Sequence, residues 1–135
     1  MSKNPGVFEK GAPLPEQFSK FFIGQAYLQP LTDKGGPISN VTFEPACRNN
    51  WHIHHAKSGG GQILLVTGGK GWSQEWGKEA KQLLPGDVVV IPAGVKHWHG
   101  AAADSWFSHL AVEVTGEEVS NEWLEAVTDE EYAKL

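Results

Sequence analysis

A single cysteine, Cys47, is too few for an internal disulfide, so nothing covalent staples the fold and a reducing compartment is the simpler setting. Cations are also scarce. Eleven lysines and arginines face 16 aspartates and glutamates, for a net charge of -5, and they form no cluster. That excludes nucleic acid as a partner, because phosphate binding needs grouped Lys and Arg. Long apolar runs are missing. The longest, VVVIPAGV from Val88 to Val95, is interrupted by Pro92, and no stretch is long enough to span a bilayer. The opening residues, MSKNPGVFEKGAPLP, lack the apolar core of a secretory signal. A soluble, cytoplasmic protein with no membrane partner is expected. Helical signals are scarce as well. One short C-terminal helix is predicted in TDEEYAKL, where Thr128 and Glu131 have capping-box spacing. Asp129, Glu130 and Glu131 in its first turn suit the helix dipole.

What the chain does contain is turn chemistry between short apolar segments. Its 135 residues fit one domain. Sixteen glycines and eight prolines supply many turns. FFIGQAYLQPL, ISNVTFEP, NNWHIHH, GQILLVTGG, GWSQEW, KQLLPGDVVVIPAG, KHWHGAA and SWFSHLAVEV read as successive short strands, with GWSQEW pairing back on GQILLVTGG after the turn at Gly68 and Gly69. The fold class is therefore all-β, a sandwich or a small β-barrel. Residues 1–20 read as an N-terminal arm and residues 21–135 as a single domain. The six tryptophans mainly fill the core.

The chemistry concentrates in WHIHHAKSGGGQ, Trp51 to Gln62. Strand residues two apart share a face, so His52 and His54 project together and His55 points the other way. The glycine run is expected to turn the chain into a hairpin that stands Gln62 beside this pair. His97 and His99 repeat the spacing after a PAG turn, with Trp98 on the far face. Four imidazoles and one amide oxygen suit a divalent Mn, Fe, Co, Ni or Zn ion. On another strand His109 shares a face with Phe107, Ala111 and Glu113, and a buried imidazole there titrates near neutrality when unperturbed. Ser39, Val41 and Phe43 line the same cavity from a further strand. Cys47 reads as a small turn-end hydrophobe, since the sequence sets no base beside it.

The stretch from Ala46 through His52, His54 and Gln62 to Gly69 resembles the first motif of the cupin superfamily, and that from Gly86 through Pro92, Gly94 and His97 to Ala101 resembles the second. Ala46 and Ala101 replace the motif's Gly and Asn, Gln62 replaces its Glu, and seven residues rather than three or four separate His54 from Gln62. The resemblance narrows to the small single-domain cupins that include the bacterial manganese-dependent hydroxynitrile lyases. It is carried by FEPACRNNWHIHH, GQILLVTGGKGW, PGDVVVIPAGVKHWHGAA, SHLAVE and VTDEEY.

The resemblance implies a jelly-roll barrel and a metal, manganese first, on His52, His54, Gln62 and His97. It also implies acid–base work by His99 and His109. Residues Ser39, Val41, Phe43, Phe107 and Glu113 become the substrate pocket, and a homo-oligomer, dimer or tetramer, is expected. A neutral Gln in place of Glu leaves the ion its full positive charge, which favours Lewis-acid over redox chemistry. Three functions follow as expectations: a lyase acting on a small hydroxy or carbonyl compound, with cyanohydrin cleavage as its type; an iron-dependent dioxygenase; and a non-enzymatic cupin that binds a metal or metabolite.

Overall fold

The computed structural model describes residues 5–34 and 36–135. The first four residues of the expected arm, and Gly35 in the TDKGGP turn, lie outside them. In chain order the elements are β1 (Ala12–Pro13), α1 (Glu16–Ser19), β2 (Phe22–Ile23), β3 (Ala26–Thr32), β4 (Ile38–Phe43), β5 (Arg48–Asn49), β6 (His52–His55) and β7 (Ser58–Gly59). There follow β8 (Gln62–Gly69), β9 (Gly71–Glu75), β10 (Lys81–Leu83), β11 (Val88–Ile91), β12 (His97–Ala101), β13 (Phe107–Glu113), β14 (Gly116–Glu117), β15 (Ser120–Trp123) and α2 (Asp129–Tyr132). The single strand expected across Phe21–Leu31 is split at Gly24, which has φ 91°. A four-residue helix, α1, stands in the arm, where the sequence predicts none.

Two antiparallel sheets carry the fold among the described residues. One runs β1-β3-β4-β13-β8-β11; the other runs β10-β9-β12-β5-β2, with β6 bonded to β12 and β15. This is the jelly roll that the sequence resemblance implies, in which both sheets turn apolar side chains toward one interior. Residues of β8 alternate buried and half-buried along its length, as a strand with one inward face must. Phe43, Leu64, Val66, Phe107 and Ala111 form the core with Ala26 and Ile91.

Each sheet is also covered outside. Trp98, on the far face of β12 from His97, packs with Trp51, Val127 and Tyr132 under the C-terminal segment. Arg48 clamps that segment by donating from Nε and Nη2 to the Val127 carbonyl at 3.1 and 2.8 Å. The capping box of α2 is formed in both directions by Thr128 and Glu131. On the other sheet Asn40, Thr42 and Ser108 form a buried polar row. Ser108 Oγ donates to Asn40 Oδ1 at 3.0 Å, and Asn40 Nδ2 donates to the carbonyl of Glu9 in the arm.

Two pairings differ from the sequence expectation. The glycine run does not make a β6–β8 hairpin. Gly59, Gly60 and Gly61 have φ of 63°, 76° and 91°, a conformation open to glycine, and they carry the chain from one sheet to the other. A Cβ on Gly61 would lie 2.4 Å from the Ile91 carbonyl oxygen, so the backbones meet where only glycine fits. The extra residues also build a short ladder, β7 with β14. Likewise β9 does not fold back on β8; it crosses to pair with β10 and β12. Ala46, in the place of the motif's glycine, adopts φ 67°, which explains why the motif asks for glycine there.

Candidate metal centre

The site begins with strand parity on β6, where His52 and His54 are buried and His55 is exposed. β12 lies alongside, with His97 directly opposite His52. The His52 and His97 ring centroids are 4.2 Å apart, His52 and His54 5.1 Å, and His54 and His97 5.2 Å. One nitrogen from each ring lies within 4.8 Å of the others, close enough for one ion.

Each ring is tethered by its Nδ1. His52 Nδ1 meets the Asn50 carbonyl at 2.8 Å, His97 Nδ1 the Val95 carbonyl at 3.0 Å, and His54 Nδ1 the Asn121 Oδ1 at 2.7 Å. These acceptors place the proton on Nδ1 and leave the Nε2 lone pair free, the arrangement a metal-ligating histidine needs. His54 Nε2 and His97 Nε2 are buried without a hydrogen-bond partner among the described residues. Burial pushes His97 down to about 4, and burial with the neighbouring His97 charge pushes His52 well below the ordinary imidazole range. His52 and His97 are therefore neutral at physiological pH, so ligation displaces no proton from either ring. The donor set fits a divalent first-row ion. The PAG turn helps to set it, since Gly94 N–H donates to the His54 carbonyl at 2.8 Å.

Gln62 arrives from the other sheet, at the head of β8. Its Nε2 donates to Glu113 Oε1 at 2.6 Å, and its buried Oε1 has no partner among the described residues.

His99 and His109 stand deeper. His99 is held by Asn49, whose Oδ1 accepts the His99 backbone N–H at 2.9 Å and whose Nδ2 lies 3.3 Å from the ring. His109 meets His99 edge to face at 4.9 Å, and neither of its ring nitrogens has a partner among the described residues. Burial lowers His109 to about 4; burial first, then the charge on His109, holds His99 well below the ordinary imidazole range.

These groups border a cavity of about 490 Å³. Ser39, Val41 and Glu113 line it, with His52, His54, Gln62, His99 and His109. Phe43 and Phe107, expected on its wall, lie behind it in the apolar core, each with its ring 5.5 Å from that of His109. His55 pairs with Glu122 at 2.7 Å on the outside. Cys47 is buried, and burial pushes its thiol up to about 12, which disqualifies it as a nucleophile.

Sequence reasoning missed Asn121, Asn49 and Trp123. Asn121 and Trp123 lie opposite His54 and His52 on β15, a strand nearly 70 residues on. Trp123 stacks on Phe21 at 4.7 Å and covers His52 at 4.6 Å. Leu14 and Phe18, from the arm, and Phe22 just after it close the wall. No sequence signal marks these residues, because chain distance hides their position.

No family model matches the chain. It is similar to the (R)-mandelonitrile lyase of Granulicella tundricola, with 40% identity over 118 residues that span 84% of this chain and 87% of the relative. Among solved structures it is similar to a cupin-like protein of Thermotoga maritima, with TM-score 0.80, 41% identity and 95% of each chain covered. A cupin 2 conserved barrel domain protein of Rhodopseudomonas palustris shares the fold alone, with TM-score 0.68 and 17% identity over 92% of this chain and 81% of the other.

Proposed function

Because this chain belongs to the family of small single-domain cupins that includes the (R)-mandelonitrile lyase of Granulicella tundricola, we propose that it is a manganese-dependent lyase that splits a neutral cyanohydrin of the mandelonitrile type into an aldehyde and hydrogen cyanide. One observation carries the reading. Among the described residues, buried lone pairs of His54, His97 and Gln62 lack partners beside an apolar cavity that also holds a neutral, unpartnered His109.

The ion on His52, His54, His97 and Gln62 would supply a Lewis acid for an alcohol or carbonyl oxygen. The protein's own groups manage the proton. A free nitrogen of His109 accepts the substrate hydroxyl proton, the bond to the nitrile carbon breaks, and its electron pair leaves with cyanide. The carbonyl forms, and His109 returns the same proton to cyanide, so no proton is gained or lost. Asn49 keeps the His99 ring beside His109. Leu14, Phe22, Leu28, Val41 and Trp123 offer an apolar wall for an aryl group. No lysine or arginine lines the cavity among the described residues, and Glu113 adds a carboxylate. A substrate bearing a carboxylate finds no cation there, which favours a neutral one.

The test is metal analysis of protein purified without chelator, then metal stripping, reloading with Mn(II), and measurement of benzaldehyde release from racemic mandelonitrile. Release that requires metal, disappears in His52→Ala and falls roughly 10²- to 10⁴-fold in His109→Ala supports the lyase. Metal-loaded protein that releases nothing sinks it. Substrate-driven oxygen uptake with iron would put a dioxygenase in its place, and metal binding without turnover a non-enzymatic binder.

A further inference from the structure

Gln62 and Glu113 are direct partners across the β8–β13 ladder. Side chains at such positions stand about 5 Å apart at Cβ, within reach of each other. A carboxylate accepts hydrogen bonds and has none to give, so it selects the nitrogen end of the amide. Here Gln62 Nε2 donates to Glu113 Oε1 at 2.6 Å, and Gln62 Oε1 is left buried without a partner among the described residues. A carboxamide is nearly symmetric in shape but not in chemistry: its oxygen binds a cation and its NH₂ does not. A half-turn of the terminal torsion would exchange them.

We infer that Glu113 is a positioning residue for the metal centre. It holds Gln62 in the one orientation that frees an oxygen for the ion, and it returns, one hydrogen bond away, the negative charge that a carboxylate ligand would have supplied directly. The inference rests on Gln62 being the fourth ligand. Three neutral imidazoles and an amide leave a divalent ion its whole charge. The Glu113 carboxylate polarises the amide and makes its oxygen a better donor to that ion, as hydrogen-bonded partners behind ligands do. The cupin carboxylate absent at position 62 thus reappears on the neighbouring strand, behind the ligand rather than on the metal.

The test needs no substrate. Metal-free, full-length protein is titrated with Mn(II), by calorimetry or by the resonance of the free ion. Glu113→Ala is expected to weaken binding about 10- to 100-fold. Glu113→Gln, equal in shape and able to accept but uncharged, is expected to lose less. In a Gln62→Ala background Glu113→Ala is expected to change nothing, because the residue it acts through is gone. Unchanged Mn(II) affinity in both Glu113 variants overturns the inference. So does an equal loss in the wild-type and Gln62→Ala backgrounds, which would mean that Glu113 acts by long-range charge alone. Wild-type protein that binds no Mn(II), or Gln62→Ala that binds it as tightly as wild type, removes the four-ligand centre itself and this role with it. Silence confined to the Glu113 variants removes only the positioning role. Melting of the metal-free variants reports folding separately.

Discussion

His97 lies directly across from His52 on neighbouring antiparallel strands, with ring centroids 4.2 Å apart. Two imidazoles this close repel when protonated, and both are buried and neutral. Metal-free, the pair leaves His97 Nε2 buried with no partner among the described residues, a cost that an ion removes.

Metal binding therefore stabilises the fold. At free Mn(II) about 100 times the dissociation constant, unfolding is expected to cost about 3 kcal/mol more than in metal-free protein. Melting with and without Mn(II) measures this, and His52→Ala and His97→Ala should each abolish the increment. An undiminished increment in either variant rules that histidine out as a ligand.

Asn121 is the one side chain among the three Nδ1 tethers, the other two acceptors being backbone carbonyls. Asn121→Ala frees the His54 ring and should weaken Mn(II) binding about 10- to 100-fold. Equal affinities by titration would show that His54 needs no tether.

His109 gives the stability of the metal-free protein a pH dependence of known sign. Its folded pKa, about 4, lies below its ordinary 6.5, so the unfolded chain binds the extra proton between these values. Its contribution is complete above about 6.5 and is lost as pH falls towards 4. A shift of that size corresponds to about 3 kcal/mol. Denaturant titrations of metal-free protein between these pH values should show a shallower slope in His109→Leu than in wild type. Parallel slopes would mean that His109 keeps its ordinary titration in the fold.

Ala46, at φ 67°, holds a backbone conformation that costs an L-residue roughly 1–2 kcal/mol. Glycine removes that cost and loses part of the gain to chain entropy. Ala46→Gly is expected to stabilise the protein by about 0.5–1 kcal/mol, raising the melting temperature by a few degrees. A lower melting temperature would show that the Ala46 methyl, packed against the Trp51–Trp98 cluster, outweighs the strain.

Much of the site was legible because strands have a period of two. That period alone put His52 with His54 and set His55 outside, as their burial shows, and turned Trp98 away from His97, where it packs with Trp51, Val127 and Tyr132. It failed where the chain changes sheets. The hairpin expected between β6 and β8 required the glycine run to reverse the chain, and the run instead crosses the barrel. Gln62 therefore enters the cavity from the opposite sheet, with Glu113 beside it. Phe43 and Phe107 have the right parity for the cavity, yet they lie beneath its wall, since parity names a face but not a depth.

The sequence by itself determined most of the longer strands, the main turns, the capped terminal helix and the histidines available for a metal. Each depends on residues within a few positions of one another, and local geometry fixes their relation. Tertiary structure alone decided which atoms those side chains present. Asn121 turns His54, Glu113 turns Gln62, and Trp123 covers His52, all from strands dozens of residues distant. Hydrogen bonds and ring contacts of this kind depend on which strands become neighbours, and that is set by the packing of the whole barrel.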